Sequence, residues 1–462
     1  IDLAVIVIPY QFVPTVLKDC GEKDIPAVIV ISAGFREAGM EGLERERELI
    51  ALAEEYDMRL IGPNCLGVID TVTPMNASFS AGTPPTGPMG FMSQSGALGT
   101  AILDWAQAGR LGLAKFVSLG NKADVSEIDL LQAWADDPET KVILMYSEAL
   151  PEGEEFIRVA REVSKKKPIV AIKSGVTQSG SRAVSSHTGS LAGSEQAYQA
   201  AFRQAGVLRA NSMEELFDIA LALGYQPALQ GDRIAIVTNA GGPGILATDA
   251  LERAGMTLAR FELDTLHTLE QYLPDAASAA NPVDVLGDAR ADRYGFALEA
   301  VAEDPNVDGI MVVLTPQAMT QIDETAKAVG ELAGKLDKPV LTCFMGEAKV
   351  QSGIDILTDY GVPNYIFPER AAHSFHAMSQ YRNIRTRPES HYVEFDVDRQ
   401  AAEELFEKVR SEERLAIGDA EAWTILEAYG LRTPVSKLAS DPNEAVQFAT
   451  EIGYPVVMKI AS

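Results

Sequence analysis

Gly90-Phe-Met-Ser-Gln-Ser-Gly-Ala-Leu-Gly99 runs from an apolar strand pattern through a small polar turn into a helix pattern. The same grammar returns in Ile234-Ala-Ile-Val-Thr-Asn-Ala-Gly-Gly-Pro-Gly244. After the first stretch come Asp137-Pro138, the apolar run Val142–Tyr146 and Lys167-Pro168; after the second come Asp304-Pro305, Gly309–Leu314 and Lys338-Pro339. The copies then reach Ala205-Gly206-Val207 and Tyr360-Gly361-Val362. Short β-rich runs alternating with helical patterns predict parallel βαβ units. Each copy is therefore expected to be one doubly wound α/β domain of roughly 130–150 residues.

The copies differ in two places. Pro168 to Gly206 spans 38 positions and Pro339 to Gly361 spans 22, so the first copy carries 16 more. That surplus roughly matches Ser181-Arg-Ala-Val-Ser-Ser-His187-Thr-Gly-Ser-Leu-Ala-Gly-Ser194, where one histidine sits among glycines and small hydroxyl residues. Glu148 stands ten residues after Pro138, and the same offset from Pro305 gives Thr315. A histidine loop and a strand-end carboxylate decorate one copy only, and decoration on a shared scaffold is where function is expected. Taken alone, the loop fits either a solvent-exposed histidine or a nucleophile that meets more than one partner.

A strand-to-helix turn leaves backbone N–H groups free at a helix N-terminus, where they and the helix dipole favour an anion. Ser93, Gln94, Ser95 and Gly96 form one such turn; Asn239, Ala240, Gly241, Gly242 and Gly244 form the other. Tight turns need glycine for geometry alone. Two turns at matching positions, facing each other, would cradle a phosphoryl group from both sides, and phosphate is the expected ligand.

With 462 residues, 47% of them hydrophobic, and a mean hydropathy of +0.01, the chain has the composition of a soluble globular protein of three or more domains. A formal charge of −27, from 39 basic and 66 acidic side chains, argues against a broad nucleic-acid footprint. Cys20, Cys65 and Cys343 form no disulfide framework or zinc spacing, so a reducing cytosol is expected. No apolar run approaches the ~20 residues needed to span a membrane, and no signal peptide is visible. Ile1 opens within a strand pattern and Ser462 follows another. Both ends read as cut, which leaves targeting signals undetermined.

Residues 1–70 alternate strand and helix like the second half of a Rossmann-type domain, without the glycine fingerprint of its first turn. Residues 71–87 read as a linker, 88–226 and 230–382 as the two repeat domains, and 383–415 as a second, partly helical linker. Residues 416–462 start a new unit ending in a strand, Pro455-Val-Val-Met-Lys-Ile460. The helix over Glu41–Tyr56, with interleaved acids and bases, reads as a solvated face.

The order Gly62-Pro-Asn-Cys-Leu-Gly67, Ser93–Gly96, Glu148, Ser186-His-Thr-Gly189, Asn239–Gly242, Asn281-Pro-Val-Asp284 and Gly453-Tyr-Pro-Val-Val-Met-Lys459 resembles the NDP-forming acyl-CoA synthetases. Within them it is similar to the ADP-forming acetate–CoA ligase type, related to succinyl-CoA synthetase. The resemblance covers essentially the whole chain. It implies a partial Rossmann-like CoA-binding domain, two flavodoxin-like doubly wound domains and the start of an ATP-grasp domain. The implied reaction interconverts acyl-CoA, ADP and phosphate with a carboxylic acid, CoA and ATP, through an acyl phosphate and a phosphohistidine. On this resemblance His187 is the phosphorylated residue, Glu148 the carboxylate that hydrogen-bonds its ring, and the two glycine turns hold the phosphoryl group. Pro9, Gly62, Pro63, Asn64 and Cys65 belong to the CoA pocket, and Lys459 touches the nucleotide. CoA, ATP or ADP and Mg²⁺ are the implied cofactors, with the Mg²⁺ site largely outside this stretch. A cytoplasmic homo-oligomer without nucleic-acid or membrane partners is expected.

Other readings compete for some of these residues. Lys459 also reads as an exposed strand-end lysine, Glu148 as a solvated acid, and Cys65 as a structural contact before a nucleophile. His373 and His376 share a helical face, a spacing compatible with a metal pair but as readily with packing; no metal site is expected. Two rival functions are a regulatory acyl-CoA-sensing region of a protein lysine acetyltransferase and a structural subunit that depends on a partner's nucleotide site. Retention of His187 and Glu148 favours an enzyme.

Overall fold

The structure is a computed structural model that describes residues 1–150, 152–177, 179–180, 195–388 and 395–460. The chain divides into two compact units, Ile1–Arg387 and Pro388–Ser462. The first unit holds three sheets. Strands β1 (Ala4–Ile6), β2 (Ala27–Val30) and β3 (Arg59–Ile61) pair in parallel in that order. The helices Val13–Gly21 and Met40–Glu55 pack on this small sheet around Leu17, Val28, Leu49 and Leu60, all buried.

The second sheet comprises β4 (Gly67–Asp70), β5 (Met75–Ser78), β6 (Met89–Ser93), β7 (Leu113–Ser118), β8 (Val142–Ser147), β9 (Ile169–Lys173) and β10 (Leu208–Arg209). Its order is β10-β9-β8-β6-β7-β4-β5. Counted from β6, the parallel part is the flavodoxin-like order of a doubly wound sheet, with the switch point between β6 and β8. These strands read as continuous apolar runs because helices cover both faces: β6 is buried at all five positions. A Cβ at Gly99 would lie 2.7 Å from the Phe116 ring, so a glycine there lets the helix Gly96–Ala108 settle against β7.

The third sheet repeats the plan with β11 (Arg233–Thr238), β12 (Thr257–Leu258), β13 (Val283–Asp284), β14 (Gly309–Leu314) and β15 (Val340–Phe344), in the order β12-β11-β14-β15. Strand β13 pairs the end of β11, and Asn281 closes the gap beside it. Its Oδ1 accepts from the Ile236 amide at 2.9 Å while Nδ2 donates to the carbonyls of Ile234 and Ala259 at 2.9 and 3.0 Å. The Asn-Pro-Val-Asp motif is thus explained by sheet closure.

Three expectations need correction. The stretch 71–87, read as a linker, contains β5, and β4–β5 form a hairpin that adds antiparallel to β7. Its strands are four residues each, too short for a periodic signal, and the pairing to β7 is non-local. The interleaved charges of the Met40–Glu55 helix do not all lie on a solvated face, because Glu46 is buried. In the second unit the helices Arg399–Ser411, Asp419–Ala428 and Pro442–Ile452 form, but no strand is present over 455–460 among the described residues. Among the described residues of this unit no strand neighbours the run, so its N–H and C=O groups have no ladder to join.

Candidate active site

The C-terminal ends of β6 and β8 flank the switch point of the second sheet, where doubly wound folds gather ligands. Ser93 ends β6, and its buried hydroxyl donates to the Ser95 carbonyl at 2.8 Å. Ser95 then caps the helix Gly96–Ala108, its Oγ accepting from the Leu98 amide at 3.3 Å. In the second copy Thr238 repeats the first bond, donating to the Ala240 carbonyl at 3.1 Å ahead of the helix Gly241–Arg253. A Cβ at Gly242 would meet nothing within 4 Å, so the space before that helix is open.

Gln94 turns away from the helix toward β8. Its Oε1 accepts from the amides of Glu148 and Ala149 at 2.8 and 3.1 Å, and its backbone N–H donates to the Tyr146 carbonyl at 3.1 Å. Asn239 does the same for Thr315. Its Oδ1 accepts from the Thr315 amide at 2.9 Å and its Nδ2 donates to the Thr315 carbonyl at 2.9 Å. In each copy one amide side chain clamps the end of the neighbouring strand, so these two side chains serve the scaffold.

Glu148, 8% exposed, lines a cavity of about 610 Å³ together with Gln94, Ser95, Gly96 and Ala97. The opposite wall comes from the first domain: Ile31 and Ala33 beyond β2, and Asn64 and Cys65 beyond β3. A pocket of this size, with apolar walls and convergent polar groups in similar number, suits a small polar-headed ligand.

The loop after β7 joins the two walls. Gly120 has φ +57°, and a Cβ there would lie 2.4 Å from the Pro63 carbonyl oxygen, so only glycine allows the approach. The amides of Asn121 and Ala123 donate to the carbonyls of Pro63 and Gly62 at 2.9 and 3.0 Å. The Asn121 side chain donates to Glu37 and to Glu46, both at 2.7 Å, and accepts from Asn64 at 3.3 Å. Arg36 donates to the Asn121 carbonyl and lies 3.4 Å from Glu46. Burial pushes the Glu46 carboxyl above its ordinary value despite Asn121 and Arg36. For Glu37, burial is outweighed by hydrogen bonds from Asn121, Gly34 and Phe35, which hold it below the ordinary carboxylate value.

Cys65 is buried, and its thiol donates to the Val30 carbonyl at 3.5 Å. Burial pushes the thiol up to about 12, which excludes a thiolate nucleophile at neutral pH. His376 accepts or donates with Gln380 at 2.8 Å, and no group of three or more His, Cys, Asp or Glu suited to a metal ion occurs among the described residues.

The sequence-expected residues therefore divide. Asn64, Cys65, Gln94, Ser95, Gly96 and Glu148 share one cavity. Gly62 and Pro63 stand behind its wall as hydrogen-bond acceptors, and the Pro9 carbonyl caps a short 3₁₀ turn at Tyr10–Phe12 away from the lining. Asn239, Ala240, Gly241, Gly242 and Gly244 belong to the third sheet and do not line this cavity. Lys459 lines a separate cleft of about 600 Å³ in the second unit, with Lys437 and Asp441. His187 lies outside the described residues. Asn121, Glu37 and Glu46 went unread in the sequence. Their signal was slight: the turn pair Gly120-Asn121 after a strand, followed by the Ser126-x-x-Asp129 capping box.

Comparison with known proteins agrees with this layout. Models of four families match in sequence: a CoA binding domain over residues 1–71, a succinyl-CoA ligase like flavodoxin domain over 86–223, a ligase-CoA domain over 234–387 and an ATP-grasp domain over 408–462. Acetate–CoA ligase [ADP-forming] I of Archaeoglobus fulgidus is 44% identical, covering 100% of this chain and 66% of its own length. The 4-hydroxybutyrate–CoA ligase [ADP-forming] of Nitrosopumilus maritimus is 40% identical over 100% of this chain and 67% of its own. The chain thus spans about two thirds of the length of these curated relatives. Among solved structures, the dinucleotide forming acetyl-coenzyme A synthetase 1 of Ca. Korarchaeum cryptofilum, in complex with phosphate and ADP, is 37% identical with a TM-score of 0.80 over 84% of each chain. In its domains, their order and its likeness to these ligases, the chain belongs to the family of NDP-forming acyl-CoA synthetases.

Proposed function

We propose that the protein is an acid–thiol ligase that interconverts acyl-CoA, ADP and phosphate with a free carboxylic acid, CoA and ATP. The observation that carries this reading is the single cavity at the β6/β8 switch point, shared by Glu148, the Ser95-capped helix N-terminus and the Asn64–Cys65 loop. Inorganic phosphate attacks the thioester carbonyl, giving an acyl phosphate and releasing CoA as the thiol. His187, as neutral imidazole, takes the phosphoryl group and frees the carboxylate. ADP then takes the phosphoryl group from the histidine, giving ATP and restoring the ring. Splitting one exchange into two transfers is the purpose of a covalent intermediate.

Phosphoryl transfer is mostly positioning and charge stabilisation. The helix N–H groups at Gly96 and Ala97 suit the first; Glu148 suits the second, fixing the imidazole tautomer and favouring the cationic ring while phosphate is attached. The turn Asn239–Gly244 is a second phosphate cup, and Lys459 a nucleotide contact. Mg²⁺ would enter with the nucleotide phosphates, since this ion is held by few carboxylates and the substrate itself. The related ligases are named for acetate and 4-hydroxybutyrate, so a small carboxylic acid is the substrate class. Those names also weigh against the regulatory acyl-CoA-sensing reading.

Incubating the full protein with radiolabelled ATP and Mg²⁺ should give an acid-labile, base-stable phosphoprotein. His187→Ala should abolish the label with an unchanged thermal midpoint. Label that persists in a folded His187→Ala protein removes the role.

A further inference from the structure

We infer that Lys122 and Glu127 are positioning residues for Glu148, acting through the carbonyl of Ala149; the inference rests on the function proposed above. Lys122 follows Gly120 and Asn121 in the loop that joins the cavity walls, and it holds a left-handed backbone with φ +57°. Its Nζ donates to both Glu127 carboxylate oxygens at 2.9 and 3.1 Å and to the Ala149 carbonyl at 2.7 Å. Ser147 Oγ lies 3.1 Å from the same carbonyl and 3.3 Å from Glu127 Oε1. The two charged side chains are 6% and 2% exposed.

A pair buried this deeply is a poor source of stability, because desolvation consumes most of the attraction and an apolar pair of similar volume would serve. A cation at this place adds something an apolar pair lacks: a bond to the residue next to Glu148. With Gln94 accepting from the amides of Glu148 and Ala149, the backbone on both sides of the carboxylate's Cα is fixed in direction. Because Lys122 adjoins Asn121, which bonds Asn64, Glu37 and Glu46, the same loop ties the far cavity wall to the strand end carrying Glu148. A displacement of about 1 Å at a reacting centre costs roughly a hundredfold in rate, so this brace has a kinetic consequence.

The experiment is a double-mutant cycle on the full protein, with the rate of histidine labelling from ATP and Mg²⁺ as readout. Lys122→Met with Glu127→Leu removes both charges and keeps bulk. It should slow labelling about 10–100-fold, at an unchanged half-saturating ATP concentration. Added to Glu148→Gln, it should cost nothing further, since both changes act on one carboxylate. Losses that multiply, or labelling at the unmodified rate, overturn the positioning role. If the paired replacement fails to unfold cooperatively in urea, Glu127→Gln, which keeps the side-chain shape, takes its place in the cycle, and the same two outcomes overturn the role. The unmodified protein separates the two readings: no label there removes the functional reading and the positioning role with it, whereas label there with multiplicative losses removes only the latter.

Discussion

Glu148 is the residue on which the proposed chemistry and the scaffold converge. It lies at the strand end that the repeat marks as different, it is nearly buried, and its amide is held by Gln94 at 2.8 Å. Glu148→Gln keeps that amide and the side-chain volume while removing the charge. It should slow phosphoryl exchange on the order of a hundredfold with CoA binding largely kept, as measured by isothermal titration with CoA. Unchanged exchange would rule out an orienting carboxylate. Cys65 shares the cavity but not the chemistry. With the thiol pushed up to about 12 by burial, its thiolate fraction at pH 8 is negligible. Mass spectrometry after iodoacetamide treatment of the native protein should find Cys65 unmodified, and modification at rates typical of an exposed thiol would show that the side chain is not held against Val30.

At the scale of elements, the amide clamps explain why one plan appears twice. Asn239 is 1% exposed and takes both the N–H and the C=O of Thr315. Asn239→Ala leaves the partly buried Thr315 amide without this acceptor, while the Thr315 carbonyl keeps the Gln317 amide at 2.9 Å and the Thr320 hydroxyl at 3.3 Å. The loss of about 1 kcal/mol should appear as a lower urea midpoint with an unchanged slope. A midpoint equal to that of the unmodified protein would show that the clamp contributes nothing. The two glycine turns and the Glu148 offset were legible in the sequence because each is local: a strand run, a small-residue turn and a helix pattern within about ten residues. The Asn121 hub was not, since its partners stand 84 and 75 positions away, Glu37 in a short 3₁₀ turn and Glu46 on a helix whose interleaved charges suggest a solvated face. Glu46 is buried where the small first domain meets the loop after β7. The β4–β5 hairpin was missed for a related reason: its composition is that of a linker, and pairing with β7 makes it a strand.

For the molecule as a whole, acid stability is set by opposing groups of carboxylates. Burial alone would raise Glu37, Asp129, Asp137, Asp232 and Asp308. Hydrogen bonds outweigh it in each, chiefly from Asn121, Arg59, Lys115, Arg382 and Arg233 respectively, and hold all five below their ordinary values of 4.5 for Glu and 3.8 for Asp. A group depressed on folding contributes stability that is present above its unfolded pKa and is lost as pH falls through the folded one. Glu46 and Asp218 behave in the opposite sense: burial raises both in spite of Asn121 and Arg370, so protonation favours the folded chain as pH falls toward the ordinary values. The formal charge of −27 adds self-repulsion at neutral pH that also relaxes on acidification. The balance predicts a shallow rise in the urea midpoint from about pH 7 toward pH 5 and a fall below about pH 4, where the five depressed groups lose their contribution together. Glu46→Gln should lessen the rise and leave the acid limb unchanged. A midpoint that stays level from about pH 6 to pH 3 would contradict the hydrogen-bonded carboxylates as the source of acid sensitivity, and a Glu46→Gln profile that superimposes on the unmodified one would leave the rise to Asp218 and net charge.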